Sequence, residues 1–203
     1  MVGAPAIDDP TGLTTRQRQL LWAGRIALVA LLLFTVLFDH LPQFVGKGMP
    51  FRAPFYGASA LFIPIVWRLR GRPSPYPWRI DLLVMAPFFC DTAANALNFY
   101  NDYDRTDDVL HFTNWMLLGA AIVLACQRAE MGRLNAWAMA WGMGALAIIW
   151  WEAAEFVVQE LGTAGLGLTY EDTVGDLLLS STGGAVGAAI TLWILARRAQ
   201  SSS

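Results

Sequence analysis

The chain has 203 residues, of which 56% are hydrophobic and only 15% charged, with a formal net charge of −2. Soluble domains carry about 25% charged residues, so the composition argues against an ordinary soluble protein, and the arginines are too dispersed over short loops for a nucleic-acid-binding surface. Cys90 and Cys126 lie in separate apolar runs without a CxxC pattern, so they carry no redox information.

Long apolar runs predict an all-α, multi-pass membrane protein, because about 20 such residues are needed to cross ~30 Å of hydrocarbon. We predict six transmembrane helices, at residues 20–38, 54–67, 80–100, 108–127, 135–159 and 175–196. The second is short and contains Pro64, so whether it crosses the membrane fully stays open. These helices form one domain over 20–196, between a cytoplasmic N-terminal segment, 1–19, and a cytoplasmic tail, 197–203.

Basic residues predict the orientation of this domain. With the N-terminus inside, eleven arginines lie on the cytoplasmic side, and only Lys47, Arg52 and Arg105 lie on the other. Such a bias across short loops follows the positive-inside rule, so we expect both termini in the cytoplasm and the protein in the plasma (inner) membrane. Eleven of the sixteen acids and both histidines then fall at or near the outer face.

Polar residues follow one face of four predicted helices near that outer end. In the third helix they recur at i, i+4, i+7 and i+11, which is the spacing of one continuous helical stripe. The stripes consist of Asp91, Asn95, Asn98 and Asp102; of Asp107, His111 and Asn114; of Glu152, Glu155 and Gln159; and of Asp176, Ser180, Gly183 and Gly187.

Most of these stripes have adequate structural explanations. Thr173 and Asp176 fit a capping box at the start of the sixth helix. Asp107 and Asp108 lie in a first turn, where the helix dipole favours negative charge. Asparagines can bridge helices, and the small residues that follow Asp176 fit close helix packing better than a substrate groove.

Glu152 and Glu155, in the segment AIIWWEAAEFVVQE, resist a structural explanation. They lie toward the C-terminal end of their helix, where the dipole disfavours carboxylates, and within an apolar run where one acid costs about 2–3 kcal/mol. A bound cation would compensate these charges, as would the few basic residues expected at this depth. Those residues are His111, His40, Arg105 and Arg52.

The alternating helix directions predict that residues 107–111, 152–155 and 172–176 lie at similar depth. We predict that Glu152 and Glu155 face His111 and Asp176 across a cavity near the outer interface. Which acid of the 107/108 pair faces this cavity stays open. Asp107 and Asp172 are expected at its rim, and Asn98, Asn114, Thr173 and Ser180 are the predicted substrate-lining residues.

Three short motifs resemble elements of YjdF-type bacterial integral membrane proteins. DDVLHF (107–112) is similar to their Asp-x-x-x-His-Phe element, and WWEAAEF (150–156) to their Trp-Glu-x-x-Glu element. YEDTVGDLLLSSTGGAVGA (170–188) resembles their aromatic-x-Asp-Thr-x-x-Asp segment, which small residues follow. VanZ-like proteins share, more distantly, an Asp/His helix start and a late helix with an acid and glycines.

The resemblance covers roughly residues 81–196. The chain departs from the YjdF pattern in Thr106, where an aromatic residue often precedes the Asp, and in the additional Asp108. The resemblance implies a six-helix membrane fold but no particular reaction. The positions that it implicates are Asp107, His111, Glu152, Glu155, Asp172, Thr173 and Asp176.

These residues predict an enzyme that acts on a lipid or lipid-linked envelope molecule. Carboxylates with a neutral imidazole suit Zn²⁺ or Mn²⁺, and carboxylates alone suit Mg²⁺ or Ca²⁺. Without a metal, His111 serves as the base and a protonated glutamate as the acid. The predicted metal ligands are Asp107, His111, Glu152, Glu155, Asp172 and Asp176, and the predicted catalytic residues are His111, Glu152, Glu155 and Asp176.

Two alternatives use the same residues differently. A proton- or cation-coupled transporter would relay charge through them, but it needs polar groups along a whole permeation path, and the chain has no evident inverted repeats. A non-catalytic scaffold or accessory subunit would use the acids and the histidine as a buried network that sets helix register. The oligomeric state stays open in all three hypotheses.

Overall fold

A computed structural model describes residues 11–161 and 168–201, and this part of the chain forms seven helices and no strand. All six predicted helices are present, and the all-α prediction is confirmed for the described residues. A seventh, short helix follows the third. The helices are α1 (Thr15–Leu37), α2 (Met49–Leu69), α3 (Trp78–Ala96), α4 (Phe99–Asp102), α5 (Thr106–Arg128), α6 (Arg133–Glu160) and α7 (Tyr170–Gln200).

Four of these helices, α1, α5, α6 and α7, are long and apolar enough to cross a membrane. They carry many large apolar side chains on their outer surfaces, including Ile26 and Trp150, which are 63% and 70% exposed. Lipid, unlike water, accepts such surfaces without cost, so the chain has the character of a membrane protein. Two other helices differ from these four: α2 has polar ends, and α3 contains the charged residues Asp81 and Asp91.

The second predicted helix is longer than expected, because α2 begins at Met49 and has 21 residues. At ~1.5 Å per residue that length matches the ~30 Å of a bilayer core, so the prediction of a short helix is wrong. The reason is Pro50, which lies in the first turn, where proline's missing N–H leaves no hydrogen bond unmade. A proline in the first turn is therefore compatible with a helix that has already begun.

The third predicted helix ends early, and the continuous stripe predicted on it is wrong. Asn98 has a left-handed conformation (φ 64°), and this turn separates α3 from the four-residue helix α4. Asparagine tolerates this conformation better than most residues, because its short side chain can hydrogen-bond locally. Asp91 and Asn95 stay on α3, whereas Asp102 belongs to α4.

The sixth predicted helix starts earlier than expected, which corrects the prediction of a capping box at Thr173 and Asp176. Thr169 is the N-cap of α7, and its side chain accepts a hydrogen bond from the Asp172 amide (3.1 Å). Thr173 and Asp176 therefore lie inside the helix, where no free amides need capping. Asp176 is nevertheless only 3% exposed, so its burial needs another explanation.

The helices pack as two groups of three. The larger apolar core joins α1, α2 and α3 around Leu28, Tyr56 and Met85, and a smaller one joins α5, α6 and α7 around Val123, Ala140 and Ala188. Contacts between α3 and α5 connect the two groups. The polar ends of the helices meet in the space between the groups, at the end where α4 lies.

The closest helix contact is that between α5 and α7. A Cβ atom added at Gly183 would overlap the Phe112 carbonyl, and one added at Gly187 would overlap the Met116 carbonyl. Only glycine permits backbones to approach this closely, as at other small-residue interfaces in membranes. The prediction that this face of α7 serves helix packing is confirmed.

We expect Gly187→Ala to lower the free energy of unfolding by about 1–3 kcal/mol, because the added methyl group must push the α5 backbone away. Gly175→Ala is the matched control, since the space next to Gly175 on the same helix is open. The control should leave stability unchanged or raise it by up to ~1 kcal/mol through helix propensity. Unfolding by denaturant in mixed micelles measures both, and equal stability of the two variants would contradict the packing described for α5 and α7.

Candidate functional site

A polar cavity of about 120 Å³ lies between the two helix groups at the α4 end. Five of the six predicted metal ligands line it, so residues from α5, α6 and α7 meet at this end of the bundle. α2, α3, α4 and the loop before α2 supply the facing wall. The predicted residues in the lining are Asp107, His111, Glu155, Asp172 and Asp176, and the others include Lys47, Arg52, Asp91, Asn95 and Tyr100.

Three of these side chains converge into one group, which we term the acid–histidine cluster: Asp107, His111 and Asp176. One ligand atom from each lies within 4.8 Å of the others. His111 Nε2 is 3.6 Å from Asp107 Oδ1 and 3.7 Å from Asp176 Oδ1. Both separations exceed the 2.7–3.2 Å range of N–H···O hydrogen bonds. The three groups therefore face one another across a gap instead of bonding directly.

The other ring nitrogen of His111 has a partner of its own. Nδ1 lies 2.9 Å from the Ser180 hydroxyl, and Ser180 is fully buried on the packing face of α7. When Nδ1 carries the proton and donates it to this hydroxyl, the Nε2 lone pair points at the two carboxylates. A hydrogen bond to the second nitrogen is the usual way in which proteins orient a metal-binding histidine.

The size of the gap suits a metal ion. Two ligands of a tetrahedral Zn²⁺ site, each about 2.1 Å from the metal, are about 3.4 Å apart, close to the 3.6 and 3.7 Å observed here. Asp107, His111 and Asp176 thus provide three of the four positions of such a site. Asp172 also lines the cavity, although no contact joins it to the cluster within ion-pair distance.

Glu152 is buried beside the cavity without a hydrogen-bond partner. It is 5% exposed, and neither carboxylate oxygen has a partner among the described residues. Its carboxylate is near enough to Asp176 for the two negative charges to repel. Glu152 does not line the polar cavity itself. A buried acid without a partner is costly, so this position calls for a proton, a cation or another compensating group.

Arg52 organises the opposite wall. Its guanidinium lies 3.0 Å from Glu155 and 3.8 Å from Asp91. Asp91 also accepts hydrogen bonds from the hydroxyls of Tyr56 (2.8 Å) and Tyr100 (2.5 Å). Glu155 is thus held by an ion pair and Asp91 by a network, whereas Glu152 and the acid–histidine cluster have no arginine within ion-pair distance in the described chain.

Two ionisable groups outside the long helices face the same cavity. Burial, together with the positive charge of Arg52, lowers the pKa of Lys47. Its ammonium lies 5.1 Å from the centre of the Tyr100 ring, a cation–π contact. Burial and the neighbouring Asp91 carboxylate raise the pKa of Tyr100 well above its usual value. Tyr100 therefore remains a hydrogen-bond donor to Asp91 at neutral pH.

The structure distributes the remaining predicted residues over different surroundings. Asp107 faces His111, whereas Asp108 is half exposed near Arg105, which answers the question of which acid faces inward. Asn98 binds its neighbours Asn101 and Asp102 (both 2.7 Å) and does not line the polar cavity. Thr173 is half-buried and also lies outside the lining.

Asn114 lines a second, mainly apolar cavity of about 250 Å³ that adjoins the polar cavity. His111, Asp91 and Trp151 border both cavities, so the two are continuous around them. The Asn114 side-chain oxygen is buried there without a hydrogen-bond partner among the described residues. It is therefore a free polar acceptor in a mainly apolar space.

Sequence reasoning missed three residues around Arg52, namely Lys47, Tyr56 and Tyr100. Tyr56 follows Arg52 at i+4 on one face of α2, and this spacing was a usable signal. Tyr100 had none, because its position depends on the left-handed turn at Asn98. Lys47 is the only lysine of the chain and lies in the loop after the first long apolar run, shortly before Arg52, which was a further indication.

Comparison with protein-family models, with curated proteins and with solved structures finds no match for this chain.

We expect Arg52→Gln to lower the free energy of unfolding by about 2–3 kcal/mol. The change leaves Glu155 and Asp91 without their cation, and the loss stays below that for a fully buried pair because Arg52 and Glu155 are 19% and 18% exposed. Arg105→Gln is the control, since Arg105 is 88% exposed and such surface pairs contribute less than ~1 kcal/mol. The double variant Arg52→Gln/Glu155→Gln should recover part of the loss, and additive losses would exclude an energetic link between the two residues.

Proposed function

We propose that the chain is a membrane-embedded, metal-dependent enzyme that acts on a lipid or lipid-linked molecule. The observation that carries this proposal is the gap enclosed by Asp107, His111 and Asp176. Three potential ligands converge within 4.8 Å of one another, His111 lies at 3.6 and 3.7 Å from the two carboxylates, and Ser180 orients the imidazole from behind. Such an arrangement is difficult to explain by packing alone, because both carboxylates would repel each other without an intervening positive charge.

A divalent cation bound there would supply Lewis-acid activation of a phosphoryl or acyl oxygen and of a water molecule. We assign acceptance of a proton from that water to Glu152, because its buried carboxylate has no partner among the described residues, whereas Arg52 already holds Glu155. Asp107 and Asp176 would hold the cation, and Ser180 would keep Nε2 of His111 available to it. Glu155 has a positioning role on the Arg52 wall.

The orientation of the bundle supports an envelope substrate. The positive-inside bias of the sequence favours an orientation with the α4 end, and therefore the polar cavity, at the outer leaflet of the plasma membrane, and this orientation is part of the proposal. Membership in a YjdF-like group is part of this proposal, since the residues shared with those motifs include all three members of the acid–histidine cluster. A six-span topology with both termini in the cytoplasm also belongs to it.

A scaffold or accessory subunit is the second candidate, and the Arg52 wall favours it. Arg52, Asp91, Tyr56 and Tyr100 form a network of the kind that fixes helix register without chemistry. This explanation covers one side of the cavity only. It offers no compensation for Glu152 or for the two carboxylates that face His111.

Metal analysis tests the proposed site. The protein, stripped of metal in detergent and dialysed against Zn²⁺ or Mn²⁺, should retain about one ion per chain. The variants His111→Ala and Asp176→Asn should retain almost none, because each lacks a side chain that would contact the ion directly. Ser180→Ala should weaken binding by about 10–100-fold, as is usual for the partner of a metal-binding histidine. Asp108→Asn is the matched control, with binding unchanged.

The enzymatic part has a separate readout. A membrane lipid extract incubated with the metal-loaded protein should show one species consumed in a metal-dependent way, and Glu152→Gln should abolish this turnover while retaining the ion. Unchanged metal content in the Asp176→Asn variant would refute the metal site. A protein that binds the ion but consumes nothing in any lipid extract would favour the scaffold.

A further inference from the structure

A cleft separates α2 from α6 on the surface of the bundle. No Cα atom of α2 lies within 8 Å of one in α6, although both helices border the same site. Only side chains bridge the gap, through the Arg52–Glu155 ion pair and the stacked rings of Tyr56 and Trp151, 6.0 Å apart. The space between the helices amounts to about 350 Å³, within the ~300–1,000 Å³ of ordinary ligand sites.

The walls of this α2–α6 cleft are apolar and open toward lipid. Phe51 and Phe55 line it from α2, and Trp150, Ala154 and Val158 line it from α6. Phe51, Phe55 and Trp150 are 75%, 59% and 70% exposed. In a bilayer, side chains exposed in this way contact acyl chains directly. The cleft is therefore accessible from the side, without passage through water.

The inner end of the cleft is cationic and joins the polar cavity. Lys47, Arg52 and Glu155 line both spaces. No carboxylate lies within 4 Å of the Lys47 ammonium in the described part of the chain, and the ammonium contacts the Tyr100 ring. A ligand that enters between the helices therefore meets an unpaired cation before it reaches the acid–histidine cluster.

The charge balance of the polar cavity decides what headgroup fits. Five carboxylates line it against two cationic side chains, Lys47 and Arg52. An anionic group would be repelled by this surplus, but a divalent cation at the acid–histidine cluster removes two of the excess charges. Such a cation and Lys47 would border the same cavity, and both would attract a phosphate.

We propose that the α2–α6 cleft admits a phosphate-bearing lipid from the bilayer, with its apolar chain between the two helices and its phosphate between Lys47 and the metal ion. This inference rests on the proposed function for the metal ion, and it adds the substrate class and the route of entry. Phe51, Phe55 and Trp150 contact the chain, and Lys47 contacts the phosphate.

Photocrosslinking tests the cleft. The metal-loaded protein is reconstituted in phosphatidylcholine vesicles with a trace of phosphatidic acid that carries a diazirine on its acyl chain, and the labelled peptides are identified by mass spectrometry. We expect labels on α2 around 51–55 and on α6 around 150–158. Ala154→Trp should reduce this labelling at least fivefold, because the new indole fills the cleft.

Ala153→Trp is the matched control, since Ala153 is exposed on the same helix but does not line the cleft. It should label as the unchanged protein does. Labelling that is equally low or equally high in both variants would overturn the cleft, because it would then reflect general lipid contact. A diazirine-bearing diacylglycerol, which lacks the phosphate, should label at least fivefold less, and equal labelling would overturn recognition of the phosphate.

Two further variants separate this inference from the proposed function. Lys47→Gln should reduce phosphatidic acid labelling severalfold while leaving the metal content at about one ion per chain. Asp176→Asn should reduce both. If the metal content is normal but the labels lie outside α2 and α6, the proposal for the cleft is refuted and the proposal for the metal site is not. Absence of bound metal overturns the proposed function, and the difference between Ala154→Trp and Ala153→Trp still decides whether the cleft takes up a lipid.

Discussion

The close approach of α5 to α7 is the constraint on which the candidate site depends. Gly183 and Gly187 allow the α7 backbone to reach the carbonyls of Phe112 and Met116, and Ser180 and Asp176 continue the same face toward the helix start. His111 belongs to the adjoining stretch of α5. At an ordinary interhelical distance of 8–10 Å, Ser180 would not reach the imidazole and Asp176 would not face it. A packing motif thus positions the histidine and one of its two acids.

The Arg52 wall compensates part of the negative charge that α5, α6 and α7 bring to the polar cavity. α5, α6 and α7 bring several carboxylates into a low-dielectric space, where like charges repel strongly. Arg52 pairs with Glu155 and Asp91 from across the bundle, but in the described chain it forms no ion pair with Asp107, Asp176 or Glu152. The remaining negative charge is the reason to expect a cation, and a cavity of about 120 Å³ leaves room for one.

Local patterns sufficed to predict the helices and most of the acids of the site, because hydrophobic runs and the cost of buried charge are both local in sequence. The break at Asn98 was not predictable in this way, since it reflects one residue's left-handed backbone. Arg52 was recognised only as one of several possible partners, because its pairing with Glu155 joins residues 103 positions apart. The early starts of α2 and α7 were missed because the sequence allows more than one start for each helix. Pro50 lies in the first turn of α2, and Thr169 caps α7 instead of Thr173.

A comparison of the two ends of the bundle shows why only one of them suggests chemistry. At the opposite end, Asp81 is fully buried, but one arginine and one phenol, those of Arg25 and Tyr76, bind the same carboxylate oxygen. One cation there matches one anion, and the cluster ties α1 to α3 and to the loop before it. At the α4 end five carboxylates share two cations. Burial of charge is therefore common to both ends, and it is the unbalanced surplus around a well-oriented imidazole that distinguishes a candidate reaction centre from a structural ion pair.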